Sequence, residues 1–174
     1  DIERMSPDVI LLQCRYGEGS PSELRRIKTY SSARRIFELD DYVISAPKKN
    51  NHARNKAANI EEIVRNSIGL CDRVVVTTDG LADALSSMHQ DIRVVPNTLV
   101  PQLWNGLRGQ RGISDRPRVG WGGGTSHTGD LEIIAQVVRE LANEVEWVFF
   151  GMCPDALLPY VHEFHASVAL KDYP

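Results

Sequence analysis

Short apolar runs alternate along the chain with longer segments in which apolar residues recur every three or four positions. The short runs are rich in β-branched residues, as strands are, whereas the periodic segments are typical of amphipathic helices. Several runs are apolar at consecutive positions, which is typical of a parallel sheet that is covered on both faces. We predict five to seven strands: Asp8–Gln13, Arg34–Asp41, Arg73–Thr78, Ile92–Pro96, Arg118–Gly122, Glu146–Gly151 and Ser167–Leu170.

The segments between these runs predict the crossover helices of a parallel sheet. Ala57–Cys71 and Asp130–Asn143 each place their apolar residues on one side of a helix. Asp79–Met88 and Pro154–Ala166 are predicted as two further helices. The repeated order of strand, helix and strand therefore predicts an α/β protein that is built from two Rossmann-like parallel-sheet units.

Two polar stretches interrupt the alternation. Ser45–Lys56 is basic and has few apolar residues, so it is predicted to be a loop that either meets a ligand or is simply solvated. Asn105–Pro117 is rich in glycine and arginine without periodicity, which predicts a linker. We expect two domains, 1–104 and 117–174, joined by the linker 105–116. Both are smaller than a complete doubly wound domain, so both are expected to be incomplete.

The composition is that of an ordinary globular protein, with 42% hydrophobic and 25% charged residues. A net charge of -3 gives no basic footprint for nucleic acid, and no apolar stretch approaches the roughly 20 residues that cross a bilayer. The three cysteines form no C-x-x-C pair and follow no secretory leader, which predicts the cytoplasm. Because the chain starts without Met and stops directly after a predicted strand, we expect it to be a fragment.

A glycine-rich stretch between a predicted strand and a predicted helix is the first candidate site. Glycines allow the backbone to approach a ligand closely, and a helix N-terminus favours anions. The stretch matches neither G-x-G-x-x-G nor the P-loop pattern, and it can also be a tight turn with Thr128 or Asp130 as the N-cap. As a diphosphate-binding loop, it would use Gly122, Gly123, Gly124, Thr125 and His127.

Two carboxylates form the second candidate site. Asp40 and Asp41 end a predicted strand, and open α/β sheets bind ligands at the carboxyl ends of their strands. Either carboxylate can act as a general base toward a hydroxyl or orient an acceptor, and a capping or turn role is the alternative. His162 and His165 have a spacing of three on a predicted helix, but no third metal ligand is evident, so no metal site is predicted.

The order of four segments resembles the middle of GT-B glycosyltransferases of the group 1 class. The segments are LCDRVVVTTDGLADAL, IRVVPNTLVPQLW, RPRVGWGGGTSHTGDLEIIAQVV and WVFFG. Pro96 and Asn97 match the strand end that precedes the crossing between the two domains of that class. Gly122–Gly124, His127 and Asp130 match the donor loop of a bacterial subgroup that builds cell-surface polysaccharides.

This resemblance implies that the parent protein is an enzyme that moves a sugar from a nucleotide-diphosphate-sugar donor to a hydroxyl of a glycan or lipid-linked acceptor. It implies no cofactor and no obligatory metal, and it leaves open a peripheral association of the parent with a membrane. Many group 1 enzymes have a histidine near the reacting sugar where this chain has Asp40. The resemblance therefore implies either a base role or an acceptor contact for Asp40.

The family's two donor-binding glutamates would lie beyond Pro174, so we expect the fragment to lack a complete active site. Exposed sheet edges in incomplete units would also favour self-association of the fragment. Two alternatives remain open: a non-catalytic module of the same fold that binds a sugar nucleotide or a partner, and another GT-B-like enzyme such as a sugar epimerase. The fold alone does not separate these functions.

Overall fold

The chain folds into two compact units, each with its own parallel sheet. Among the described residues, the division between the units falls between Thr98 and Leu99. This architecture confirms the predicted α/β class with two Rossmann-like parallel-sheet units. A computed structural model describes residues 1–45, 58–109, 114–169 and 172.

The first unit is a four-stranded sheet whose strand order follows the chain, β1-β2-β3-β4, with every neighbouring pair parallel. Parallel neighbours require a crossover between consecutive strands, and a helix lies in each connection. The elements are α1 (Ile2–Met5), β1 (Val9–Gln13), α2 (Ser20–Tyr30), β2 (Arg34–Leu39), α3 (Ile60–Ile68), β3 (Arg73–Val76), α4 (Asp79–Leu85) and β4 (Ile92–Val94).

The core of the first unit forms because alternate strand residues meet the apolar faces of the helices. Phe37 and Leu39 of β2 are fully buried, as are Val64 and Ile68 of α3. The residues of α3 that are buried recur at the helical spacing that its sequence predicts. Burial of these side chains is the main favourable contribution to the stability of the unit.

Helix α2 was not predicted from the sequence. It buries Leu24 and packs Ile27 partly against the core, so its apolar face is narrow. Pro21 lies in its first turn, where the missing N–H is not needed. A helix that buries so few apolar residues has a weak hydrophobic periodicity, which explains why the sequence pattern did not predict α2.

The second unit has a three-stranded parallel sheet in the order β5-β6-β7. Helix α6 covers one face through Leu131 and Val138, which pack with Trp147 and Phe149 of β6 and with Leu157. The elements are α5 (Pro101–Trp104), β5 (Arg118–Gly123), a 3₁₀ turn (Thr125–His127), α6 (Thr128–Glu140), β6 (Glu146–Gly151), a 3₁₀ turn (Leu158–Tyr160) and β7 (Glu163–Ala166).

Two predictions at the end of the chain were wrong. Pro154–Ala166 is not a helix, because Pro159 lies within it and only the short 3₁₀ turn forms. The third strand of the second sheet is β7 and not Ser167–Leu170, since Ser167 to Ala169 are irregular. All four residues of β7 are exposed, so its main-chain pairing with β6 gives no alternating pattern that the sequence could reveal.

The other predicted elements form with shifted ends. β5 continues to Gly123 and α6 begins at Thr128, whereas the sequence suggested an end at Gly122 and a start at Asp130. Apart from Ser45, the predicted loop Ser45–Lys56 lies outside the described residues. The domain limits 1–104, 105–116 and 117–174 stay a prediction.

A charged pair joins Arg35, in β2, to Asp72, which directly precedes β3. The Arg35 guanidinium donates to both carboxylate oxygens of Asp72, at 3.0 Å to Oδ1 and 3.1 Å to Oδ2. The backbone N–H of Arg35 also donates to Asp72 Oδ2 at 2.7 Å. These hydrogen bonds hold the pKa of the Asp72 carboxyl below its usual range, first through the side chain of Arg35 and then through its backbone. The pair fixes the start of β3 beside the start of β2.

We predict that Asp72→Asn lowers the free energy of unfolding by about 1–2 kcal/mol at neutral pH. The Arg35 side chain is only 11% exposed and would lose its counter-charge, but the Asp72 side chain is 40% exposed, so solvent screens part of the loss. Urea unfolding followed by circular dichroism measures the difference, with Asp83→Asn on the exposed face of α4 as the control.

This stability difference should depend on pH. The folded-state pKa of Asp72 is lowered relative to that of the unfolded chain. Its contribution to the free energy of unfolding is therefore present above the ordinary aspartate pKa of about 4, and it is lost as the pH falls through the folded-state pKa. The wild type and Asp72→Asn should therefore converge in acid. A difference that stayed constant from neutral to acid pH would contradict the assignment.

Candidate functional site

The carboxyl ends of β1, β2 and β3 bring together residues that are distant in sequence. Cys14 follows β1, Asp40 follows β2 and Thr77 follows β3. The register pairs Gln13 with Glu38, which places Cys14 beside the end of β2. The Cys14 backbone N–H donates to the carbonyl of Glu38 at 3.0 Å, so the ladder continues to this edge. We call this group the first-sheet edge.

Cys14 holds the Asp40 carboxylate from one side. Its Sγ donates to Asp40 Oδ1 at 3.3 Å, and its backbone has a φ of 50°, which is unusual for a residue other than glycine. Burial raises the pKa of the Cys14 thiol to about 11, and the hydrogen bond and negative charge of Asp40 contribute in the same direction. The thiol therefore stays protonated at neutral pH and acts here as a donor.

Neighbouring residues complete the first-sheet edge. The Thr77 hydroxyl donates to the Asp40 backbone carbonyl at 3.1 Å, which fixes the main chain after β2. Thr78 caps α4 by accepting from the Leu81 N–H at 3.2 Å. Burial, followed by the negative charges around it, raises the pKa of the Tyr16 phenol, so Tyr16 is also neutral here. Asp41 is exposed.

The first-sheet edge therefore presents the Asp40 carboxylate beside a protonated thiol and a neutral phenol. Asp40 Oδ1 accepts from the thiol, and a carboxylate oxygen pair has further lone pairs that can accept from a ligand hydroxyl. This arrangement suits a hydrogen-bond acceptor or a general base. The sequence did not suggest Cys14 or Tyr16 as site residues. Cys14 directly follows β1 as Asp40 directly follows β2, and this shared position after a strand could have indicated that the two lie at the same edge of the sheet.

The second candidate site lies at the carboxyl ends of β5 and β6. A cavity of about 250 Å³ opens there. Its glycines contribute no side chain, so main-chain groups form much of its wall. The residues that line it are Gly122, Gly123, Gly124, Phe150, Gly151, Ser167 and Val168. We call it the glycine cavity.

Close packing requires glycine at two positions of this cavity. Gly151 has a φ of 96°, and a Cβ there would lie 2.3 Å from the carbonyl oxygen of Gly123. A Cβ at Gly123 would lie 2.8 Å from the Trp121 ring. By contrast, a Cβ at Gly122 or Gly124 would meet nothing within 4 Å and would project into open space. Gly151 and Gly123 therefore allow close packing, whereas Gly122 and Gly124 leave open space beside the main chain.

His127 and Asp130 stand at the start of α6, and neither of them lines the cavity. The Nδ1 atom of His127 is 2.8 Å from Asp130 Oδ2. The His127 ring approaches Gly123, since a Cβ built there would lie 3.4 Å from its Cδ2 atom. Thr125 lies in the 3₁₀ turn that connects β5 to α6.

The predicted site residues thus fall into two groups in different units. Gly122, Gly123 and Gly124 line one cavity, and Thr125 and His127 follow directly in the chain. Asp40 and Asp41 lie at the first-sheet edge. Their roles stay predictions. Sequence reasoning missed Gly151, which ends β6, and Ser167, which follows β7, because they are far from the other glycines in the chain. The Ser167 hydroxyl donates to the Gly151 carbonyl at 3.3 Å.

The histidine pair near the end of the chain has other contacts. In a strand, residues three apart point to opposite faces, so β7 removes the helical basis for a shared metal. His162 Nδ1 accepts from the Trp147 N–H at 3.2 Å, and His165 lies 3.3 Å from Glu163. The described ranges contain no group of three or more His, Cys, Asp or Glu residues arranged to hold a metal ion.

The fold is that of the GT-B class. No protein-family model and no curated protein sequence matches the chain. Among solved structures, it is similar to the crystal structure of TarM, a GT-B glycosyltransferase, with a TM-score of 0.58 and 12% sequence identity. The match covers 98% of this chain and 36% of the TarM chain, so this chain spans about a third of that protein. At this identity the likeness establishes the fold alone.

A helix that crosses a bilayer needs about 20 predominantly apolar residues. No helix in the part of the chain that the structure describes combines that length with that apolar character.

We predict that Gly151→Ala destabilises the second unit by about 1–3 kcal/mol from backbone strain, and by more if Gly123 has to move. Gly122→Ala is the matched control, because its Cβ meets no neighbouring atom. Urea unfolding followed by tryptophan emission measures both. Equal stability of the two variants would show that the close approach of Gly151 to Gly123 is not a constraint.

Proposed function

We propose that this chain is part of a glycosyltransferase that moves a sugar from a nucleotide-diphosphate donor to a hydroxyl of a glycan or lipid-linked acceptor. One observation carries the proposal: the glycine cavity lies at the carboxyl ends of β5 and β6 in a chain that has the GT-B fold. Open α/β sheets bind their ligands at this edge.

The glycine cavity suits the diphosphate of the donor. Gly122 and Gly124 leave space that a phosphate oxygen could occupy near the main chain. The start of α6 follows these glycines in the chain, and we assign the positive end of its dipole and an N–H donor of the His127 ring to the same anion. Together these groups would stabilise the negative charge of a leaving nucleoside diphosphate without an obligatory metal or another cofactor.

The first-sheet edge suits the acceptor. Asp40 can accept a proton from the attacking hydroxyl, while the Cys14 thiol and the Thr77 hydroxyl hold the carboxylate and its main chain in place. Asp41 is exposed and is assigned a contact with the acceptor. A cell-surface polysaccharide is the acceptor class that we assign. This assignment rests on Gly122–Gly124, His127 and Asp130, whose pattern resembles the donor loop of the bacterial subgroup that builds such polysaccharides.

A non-catalytic sugar-nucleotide-binding module is the second candidate. It is favoured by the glycine cavity, which the second unit forms alone. Such a module would bind the donor in the same cavity and would transfer nothing.

The donor part is tested by titrating the chain with UDP-glucose, GDP-mannose and dTDP-glucose and by following the backbone amide NMR signals of residues 122–127. We expect one nucleotide class to shift these signals selectively. Gly122→Ala should weaken that binding by about tenfold, because Gly122 lines the cavity and a methyl group there projects into open space where we place the donor. Gly80→Ala, which also adds a methyl group in open space but in α4, is the control. Shifts spread over both units, or none, would count against the donor site.

The acceptor part is tested by steady-state kinetics in a whole protein that contains this chain. Asp40→Asn should lower kcat by about a hundredfold or more, because it removes the proposed base, and should leave the KM for the donor unchanged. Asp41→Asn is the matched variant and should have a smaller effect on kcat. Equal effects of the two substitutions would refute the base role of Asp40, and binding without any turnover would favour the non-catalytic module.

A further inference from the structure

One face of the first sheet packs against its helices. Residues in register on parallel neighbours point to the same side of a sheet, and consecutive residues of a strand alternate between its sides. The buried apolar strand residues that pack with α2, α3 and α4 all belong to one face: Leu12, Phe37, Leu39, Val74 and Val76. Strands that follow one another in chain order through right-handed crossovers keep their helices on one side. In the part of the chain that the structure describes, the core therefore fills only one face of this sheet.

The opposite side of the sheet, which we call the open face, has apolar side chains that lie outside the core of the first unit. The alternation of the strands places four of them there: Val9, Leu11, Ile36 and Val75. None of the four belongs to the core cluster, and Val9 and Leu11 are 49% and 60% exposed. Parallel sheets are covered on both faces in α/β proteins, so the open face is a candidate docking surface.

The four apolar side chains form a diagonal strip across the sheet. Ile36 of β2 is in register with Leu11 of β1, and Val75 of β3 lies two residues beyond the partner of Ile36. At about 4.8 Å between strands and about 3.3 Å per residue, the strip is roughly 16 Å long from Val9 to Val75. A helix rises about 1.5 Å per residue, so about 11 residues would cover the strip. Helices are the elements that cover the sheets of α/β proteins, and this length is an ordinary one.

Positive charge is concentrated on one flank of the strip. Arg34, Arg73 and Arg93 belong to the open face by register. Their guanidinium groups share the carboxylate of Asp91, at 3.7, 2.9 and 2.8 Å respectively. One carboxylate compensates one of three positive charges, so the contacts among the described residues leave an excess of positive charge. We call these three groups the guanidinium cluster, and a covering element with a carboxylate on this flank would be attracted to it.

The other flank of the strip has a carboxylate oxygen without a donor. Glu38 is on the open face, in register with Gln13 and Val75. Its Oε2 atom is buried but has no hydrogen-bond partner among the described residues. Buried acceptors are almost always paired, because an unpaired one costs stability. A covering element with an N–H donor on this flank would supply the partner.

The area of the open face indicates the source of such an element. Four strands of about five residues give a face of roughly 300 Å². A specific interface between separate proteins buries about 800 Å² on each partner, so the open face is small for an independent partner or a second copy. A helix of the same polypeptide does not need that area, because its tether gives it a high effective concentration.

We propose that an amphipathic helix of the larger polypeptide to which this chain belongs packs along the strip. One side of the helix presents a carboxylate to the guanidinium cluster, and the other side presents a donor to Glu38. This inference takes from the proposed function only that the chain is part of a larger protein. It holds equally for a glycosyltransferase and for a binding module.

Photo-cross-linking in a whole protein that contains this chain identifies the occupant of the open face. Leu11, in the strip, is replaced by p-benzoylphenylalanine, and Tyr30, which is 55% exposed at the end of α2, is replaced in the control. We expect illumination to join position 11 to one segment of the same polypeptide, in which apolar residues recur every three or four positions. Position 30 should not join that segment. Mass spectrometry of the digested protein locates the links.

Three results of the cross-linking would overturn the proposal. A link between two copies would assign the open face to self-association, and a link to another protein would assign it to a separate partner. Absence of any link from position 11 would show that the face is exposed to solvent in the whole protein.

A second measurement compares the 174-residue chain with the whole protein by urea unfolding. Leu11→Lys should leave the midpoint of the 174-residue chain unchanged, because the side chain is mostly exposed there. The same substitution should lower the midpoint of the whole protein, because the helix would bury the new charge. Tyr30→Lys is the matched control and should leave both midpoints unchanged. An equal effect of Leu11→Lys in both proteins would contradict a covered face.

The charge pairing is tested on the segment that the cross-link identifies. Arg93→Glu should lower the midpoint of the whole protein more than that of the 174-residue chain. Exchanging the nearest carboxylate of the segment for lysine should restore the midpoint, and failure to restore it would overturn the pairing with the guanidinium cluster. None of these measurements follows the binding or transfer of a sugar, so their failure leaves the proposed function standing. Conversely, a glycine cavity that binds no donor would leave this inference standing.

Discussion

Parallel pairing of the strands determines where the candidate functional groups of this chain lie. Every neighbouring pair in both sheets is parallel, so each strand must be followed by a return segment that brings the chain back to the same starting edge. All carboxyl ends in a sheet consequently lie at one edge. Cys14, Asp40 and Thr77 come together for this reason, although 63 positions separate Cys14 from Thr77 in sequence.

The parts of the fold that the sequence predicted are those in which burial determines the residue type. β2 and α3 bury residues at the periods of a strand and a helix, so their patterns were readable. The parts that the sequence did not reveal depend on other forces. α2 buries little, and β7 is held by main-chain pairing with every side chain exposed, so neither has a clear apolar period.

The candidate sites show a similar division. The glycines of β5 and the acids after β2 were recognisable because their residue types are unusual at those positions. Their partners were not, because contacts such as that between Cys14 and Asp40 depend on strand register, which a single sequence leaves undetermined. Gly151 is the clearest case: its need for glycine arises from a carbonyl oxygen on the neighbouring strand, 28 residues earlier in the chain.

The aromatic residues of the second core have a practical consequence for studying the two units. All three tryptophans, Trp104, Trp121 and Trp147, follow the division at Thr98, and two of them pack in the core that α6 covers. The first unit contains none. Tryptophan fluorescence therefore observes the second unit alone, whereas circular dichroism observes both units. Comparing the two signals in a single denaturation reports whether the halves lose their structure together or one after the other.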